Sequence, residues 1–211
     1  MVKKSLGPKN LLRLYKKSMT QPDLDQNLKQ IQKITGIDFL NLYLNSEFAS
    51  ENISHRQLIR SEIIRNHSEI LTESEIQNIQ NLELLPTAEK LFFSISHNQT
   101  LGGYSGSNEK HGFDIELKSR ISDAIILRVS TRTEVFESPD LKFLWCAKEA
   151  AFKGLGDNTV IISDLNICDW VSQNKTGLWS YRVSSAKTLE LKRNTGFIFC
   201  DHQQIFSIFF Q

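Results

Sequence analysis

Three carboxylates and two lysines carry the chemistry that the spacing of this chain allows. Asp114 and Glu116 stand two apart in "GFDIE" (112–116). On an extended strand that spacing turns both side chains to one face, about 7 Å apart along the backbone. Like charges so close repel unless a cation lies between them. A hard divalent ion with oxygen ligands, Mg²⁺ by default, is the natural counter-charge. Glu149 adds a third carboxylate in "FLWCAKEAAFKGLG" (143–156), among Phe143, Leu144, Ala147, Ala151 and Phe152. Lys153 follows at i+4 on the same helical face, whereas Lys148 lies about 100° away. "SISHN" (94–98) ends a strand with Ser96, His97 and Asn98, all able to hydrogen-bond a phosphate.

Each stretch has a plainer reading. D-x-E also describes a solvent-facing strand edge with Phe113 and Ile115 inward. Glu149 and Lys153 also suit a surface ion pair worth a few tenths of a kcal/mol, and a lone His97 is often structural. The combination is more specific than its parts. A carboxylate trio suits a divalent metal, and lysines beside it suit a polyphosphate whose charge builds up in phosphoryl transfer. Metal-assisted attack on a phosphoanhydride or phosphodiester follows. The chain has no GxxxxGK(S/T) loop and no kinase signature, so the common nucleotide folds are disfavoured.

The elements that must position these groups are legible from periodicity and breakers. Helices are expected over 8–18 and 22–35, with Pro8 and Pro22 near their starts and Gly36 as a stop. A strand is expected over 37–45 and a long helix over 50–71, striped by Leu58, Ile59, Ile63, Ile64, Ile70 and Leu71. "TESE" (72–75) is a capping box opening a short helix to Asn81. Strands follow at 91–96, 101–107 and 111–117, then a helix from Ser122 or Asp123 to Val129. Ser138-Pro139 reads as the start of the Glu149 helix, and Gly154 and Gly156 as its end. The remainder reads as strands at 158–168, 177–184, 187–193, 195–200 and 204–210, with "NTG" (194–196) as a hairpin turn.

Composition bounds the rest. The formal net charge of +1 across 211 residues makes the whole molecule no magnet for nucleic acid, so anion binding must come from a local cluster. No run approaches the roughly 20 apolar residues of a membrane span. The basic start "MVKKSLGPKNLLRLYKKSM" lacks the apolar core and cleavage site of a signal peptide. Cys146, Cys168 and Cys200 are widely spaced, as free thiols in a reducing cytoplasm would be.

Three motifs, in order, resemble those of the 4′-phosphopantetheinyl transferases. "FFSISHN" is similar to the family's F-N/S-x-SHS, and "GFDIE" to G-I/V-D-I/V-E. "FLWCAKEAAFKGLG" is similar to F-x-x-W-x-x-KEA-x-x-K-x-x-G, with Trp145, Lys148, Glu149, Ala150, Lys153 and Gly156 in register. The likeness spans residues 90–157, and the length resembles the single-chain Sfp-type members. "HRQLIRSEIIR" (55–65) resembles the family's Arg-containing helix more weakly.

The resemblance implies an α+β fold of two similar halves with pseudo-two-fold symmetry. The divisions would be 37–108 as the N-terminal half and 109–211 as the C-terminal half with the metal site, preceded by 1–36 as an N-terminal helical extension whose helices lack an obvious family counterpart. It implies transfer of phosphopantetheine from coenzyme A to a serine of an apo acyl or peptidyl carrier protein, releasing adenosine 3′,5′-bisphosphate. Asp114, Glu116 and Glu149 would bind Mg²⁺, and Lys153 the pyrophosphate. Ser96 and His97 would hold the 3′-phosphate end, with Arg56 as a further phosphate contact. Glu149, directly or through a metal-bound water, would take the serine proton; with Asp114 and Lys153 it forms the catalytic set. The family's Gly-Lys-Pro segment before the SHS strand is missing, and Lys90 is the candidate to replace its lysine. A cytoplasmic monomer is expected, without nucleic-acid partners. The alternatives are an inactive relative that binds coenzyme A or carrier protein, and an unrelated Mg²⁺ phosphohydrolase.

Overall fold

The computed structural model describes residues 21–81, 90–175, 177–185 and 193–211. The expected helix over 8–18 and most of the strand over 187–193 lie outside these residues. The described chain is α+β, with six helices and two antiparallel sheets. The three-stranded sheet contains β1 (Leu40–Asn45), β2 (Phe92–His97) and β3 (Gly102–Ser107) in the order β1-β3-β2. The five-stranded sheet contains β4 (His111–Leu117), β5 (Asn166–Ser172), β6 (Trp179–Ser184), β7 (Thr195–Cys200) and β8 (Gln204–Phe210) in the order β4-β8-β7-β6-β5. The helices are α1 (Gln21–Thr35), α2 (His55–His67), α3 (Glu73–Asn81), α4 (Asp123–Val129), α5 (Arg132–Glu137) and α6 (Leu141–Leu155).

The larger sheet is covered on both faces, which explains its nearly continuous apolar strands. On one face Leu144, Ala147 and Ala151 of α6 pack on Ile167, Tyr181, Val183, Ile198 and Phe209. On the other, Phe113, Phe197, Phe206 and Ile208 meet Leu24, Leu28 and Ile31 of α1 and Leu40 and Leu42 of β1. A third core under α2 and α3 gathers Ile59, Ile63, Ile79, Phe93 and Tyr104. The second core draws on all three sequence segments, 1–36, 37–108 and 109–211, whereas the first lies wholly within 109–211 and the third wholly within 37–108.

Several boundaries differ from the sequence reading, each for a local reason. The helix expected over 50–71 starts at His55, because 49–54 forms hydrogen-bonded turns, with the Asn52 side chain accepting from Ser54 N–H at 3.0 Å. Ser138 does not cap α6. It closes α5, an unexpected helix opened by a Thr131/Glu134 capping box, and Asp140 caps α6 by accepting from Lys142 N–H at 2.7 Å. Gly154 lies inside α6, which ends at Gly156 in the left-handed region (φ 58°). The strand expected over 158–168 forms only from Asn166, after a 3-10 turn at 162–164. "NTG" is no turn: Thr195 and Gly196 belong to β7, and a Cβ at Gly196 would come within 2.0 Å of the Tyr181 ring. The "TESE" box forms as expected, Glu75 N–H donating to Thr72 Oγ1 and Thr72 N–H to Glu75 Oε2.

Candidate functional site

The three chemistry-bearing motifs meet where the edge strand β4 runs between β2 and α6. Gly112, Asp114 and Glu116 alternate along β4 toward α6, while Phe113 and Ile115 enter the opposite core. The contact is close because two glycines face each other. A Cβ on Gly112 would stand 2.1 Å from Ala150 O and 2.2 Å from Gly154 N. Gly112 and Gly154 thus let the helix backbone lie on the strand, within reach of Asp114.

Asp114 is 2% exposed, so the solvent-edge reading of D-x-E does not hold. Its Oδ1 accepts from Lys153 Nζ at 2.7 Å and from Ser96 Oγ at 3.0 Å. Its Oδ2 accepts from the buried Cys146 thiol at 3.2 Å. Lys153 Nζ also donates to Ser96 Oγ at 3.0 Å. Lys153 therefore pairs with Asp114 across the fold rather than with its helical neighbour Glu149.

Ser96 is 3% exposed and also accepts from Ile115 N–H at 3.0 Å, while Ser94 accepts from Phe113 N–H at 2.8 Å. The two hydroxyls satisfy the free N–H edge of β4 and weld the sheets together. Ser96 was expected to contact phosphate; as placed, its hydroxyl is committed to positioning Asp114 and Lys153. Asn98 is likewise spent inside the fold, accepting from Leu101 N–H and donating to Gln204 Oε1 at 2.7 Å. The signal that could have revealed the weld is Ser-x-Ser alternating on an apolar strand, opposite a strand whose outer N–H groups need acceptors.

The carboxylates crowd one another. Burial and the neighbouring Asp114 push the Glu116 carboxyl up to about 7, opposed by Arg120, the Trp145 indole hydrogen bond and Lys153. Burial and Asp114 also raise Glu149, with Lys153 opposing. Burial pulls the Lys153 ammonium down, but Asp114 and Glu149 together outweigh it and leave Lys153 more basic than usual. Such surplus negative charge fits a divalent cation in type, and three carboxylates are hard oxygen donors suited to Mg²⁺. As placed, no three His, Cys, Asp or Glu side chains among the described residues stand grouped as a metal cage.

His97, on the other face of β2, is half-buried and held down to about 4 by burial and by His55, Lys153 and Arg56. Its ring stands 4.2 Å, edge to face, from that of His55. Arg56 is exposed beside the pair, and Lys90 is exposed with no contact among the described residues that places it in the site. Lys148 belongs elsewhere: fully buried, its Nζ pairs with Glu134 Oε1 at 2.6 Å and donates to Leu165 O. His55, Cys146, Ser94 and Glu134 are the residues the sequence reading missed.

No helix of the described residues is long and apolar enough to cross a membrane. No protein-family model matches the chain, and no curated protein matches it.

Proposed function

We propose that the chain is a Mg²⁺-dependent 4′-phosphopantetheinyl transferase acting between coenzyme A and an apo carrier protein. One observation carries the reading: the buried Ser96 and Asp114 and the half-buried Lys153, each from a different motif, join in a single hydrogen-bonded unit. Sequence-distant motifs that share one charge cluster suggest one chemistry. In this reading residues 37–108 and 109–211 are the two related halves, and coenzyme A lies between them.

Asp114, Glu116 and Glu149 would hold the metal, which when bound neutralises phosphate oxygens and polarises the attacked phosphorus. Lys153 stays charged at neutral pH and offsets the charge on the departing bisphosphate. Glu149, directly or through an intervening water, would take the serine proton. The serine Oγ–P bond forms as the P–O bond to adenosine 3′,5′-bisphosphate breaks, and the proton goes to Glu149. His97 and Arg56 form the phosphate-holding end, and Lys153 lies within electrostatic reach of His97.

The test is incubation with coenzyme A, Mg²⁺ and apo acyl carrier protein, followed by intact mass of the carrier. Gain of one phosphopantetheine arm is expected; no gain across several carriers overturns the reading. Glu149→Ala should lower transfer about 10²-fold or more, the scale of a lost general base. An inactive binder would show no transfer in the parent protein and unchanged partner affinity in this variant.

A further inference from the structure

The His55–His97 pair contains an unused atom. His55 Nδ1 lies 2.6 Å from Asn52 O, and a carbonyl can only accept, so Nδ1 carries the hydrogen. Nε2 of the same ring is buried and has no hydrogen-bond partner among the described residues. A buried polar atom without a partner costs free energy, and one left so beside a second imidazole points to a ligand atom. The strongest charged or titratable neighbours of His97 are His55 and Arg56 from α2 and Lys153 from α6. All are cationic or imidazole, so the surroundings of the pair suit an anion.

We propose that His55 is a second imidazole of an anion subsite, binding a phosphate monoester through Nε2 beside His97 and Arg56, with one proton taken up from solvent. The proton follows from the geometry. Because Nδ1–H is committed to Asn52 O, neutral His55 presents only a lone pair at Nε2. It faces a phosphate dianion favourably only when a proton sits between nitrogen and oxygen. A diester phosphate carries one negative charge rather than two and holds such a proton less tightly, so the subsite favours monoesters. This inference rests on the coenzyme A reading for its ligand, where the monoester is the 3′-phosphate.

Two measurements on the full chain test it. Ring-nitrogen NMR, with inorganic phosphate as the probe, should shift His55 Nε2 toward its protonated form and move His97. His67 and His111, buried and bonded elsewhere, should stay in place. Calorimetry at pH 7 in two buffers of different ionisation enthalpy should show net proton uptake with coenzyme A and none with dephospho-coenzyme A. His55→Gln should abolish the uptake and weaken coenzyme A about tenfold, leaving dephospho-coenzyme A unchanged. His55 nitrogens unmoved by phosphate, or a Gln variant matching the parent in both readouts, overturns the proposal. If phosphate moves both rings but neither coenzyme binds, the subsite stands and the transferase reading falls. If coenzyme A binds with both rings unmoved, the reverse holds.

Discussion

Glu116 is the residue at which the crowding of charge can be measured. Burial and Asp114 hold its carboxyl near 7 in the folded chain, against an ordinary value of 4.5. The folded state therefore binds the proton more tightly than the unfolded state. Stability associated with this group is complete below about pH 4.5 and falls as pH rises through 7. Glu116→Gln cannot ionise, and its amide oxygen can still accept from Trp145. With divalent ions chelated, the variant should match the parent at pH 4.5 and be more stable by about 1–2 kcal/mol at pH 7.5, after discounting the full shift for solvent relaxation. Urea melts at the two pH values measure this. An advantage that is absent at pH 7.5, or equal at both, would show that the carboxylates do not crowd as described. Saturating Mg²⁺ should stabilise the parent more than the variant, because the substitution removes a proposed ligand.

At the scale of elements, α5 and α6 are pinned by a charge pair that the motif alone leaves unexplained. Lys148 reads as a companion of Glu149, yet it points away and meets Glu134 inside the fold. Glu134 is fully engaged: Oε2 accepts from Thr131 N–H at 2.7 Å and Oε1 from Ile167 N–H at 2.9 Å. One carboxylate thereby caps α5, anchors the start of β5 and neutralises Lys148. Lys148→Met should cost about 3–5 kcal/mol by stranding the buried carboxylate. Glu134→Gln with Lys148→Met keeps the Ile167 acceptor and removes both charges, so it should recover at least about 1 kcal/mol of that loss. Additive single-variant costs in thermal or urea melts would mean that the pair does not act as a unit. The same region shows what was readable in advance. Asp114, Glu116, Glu149 and Lys153 were visible because period 2 and period 3.6 place side chains on faces. Lys148's partner was not, because residue 134 lies in a six-residue helix too short to show a period. Gly154 was misread as a stop because its purpose is the approach of Gly112, a contact across 42 positions that local patterning does not carry. Strand limits at 102–107, 111–117, 195–200 and 204–210 came within a residue of expectation, since alternation and turn residues are local signals.

At the scale of the molecule, the site depends on two sheets holding a fixed relation, and the core beneath them settles whether they can part. Ile31 of α1 is fully buried with Leu40 and Leu42 of the smaller sheet and Phe113, Phe206 and Phe210 of the larger. It belongs to neither sheet but touches the core of both. Losing α1 uncovers the one core that 37–108 and 109–211 share, so the two should unfold together. Ile31→Ala should cost about 2–5 kcal/mol, the range for a large-to-small change in a packed core. The three tryptophans, Trp145, Trp170 and Trp179, all lie within 109–211 and report on that segment alone. Far-UV circular dichroism reports on every helix and strand. For both the parent and Ile31→Ala, fluorescence and circular dichroism should give the same urea midpoint, shifted together in the variant. Separate midpoints would show that 37–108 and 109–211 fold independently. The Ser96–Asp114–Lys153 unit would then be a contact between movable bodies, and its geometry would be set by ligand binding rather than by the fold.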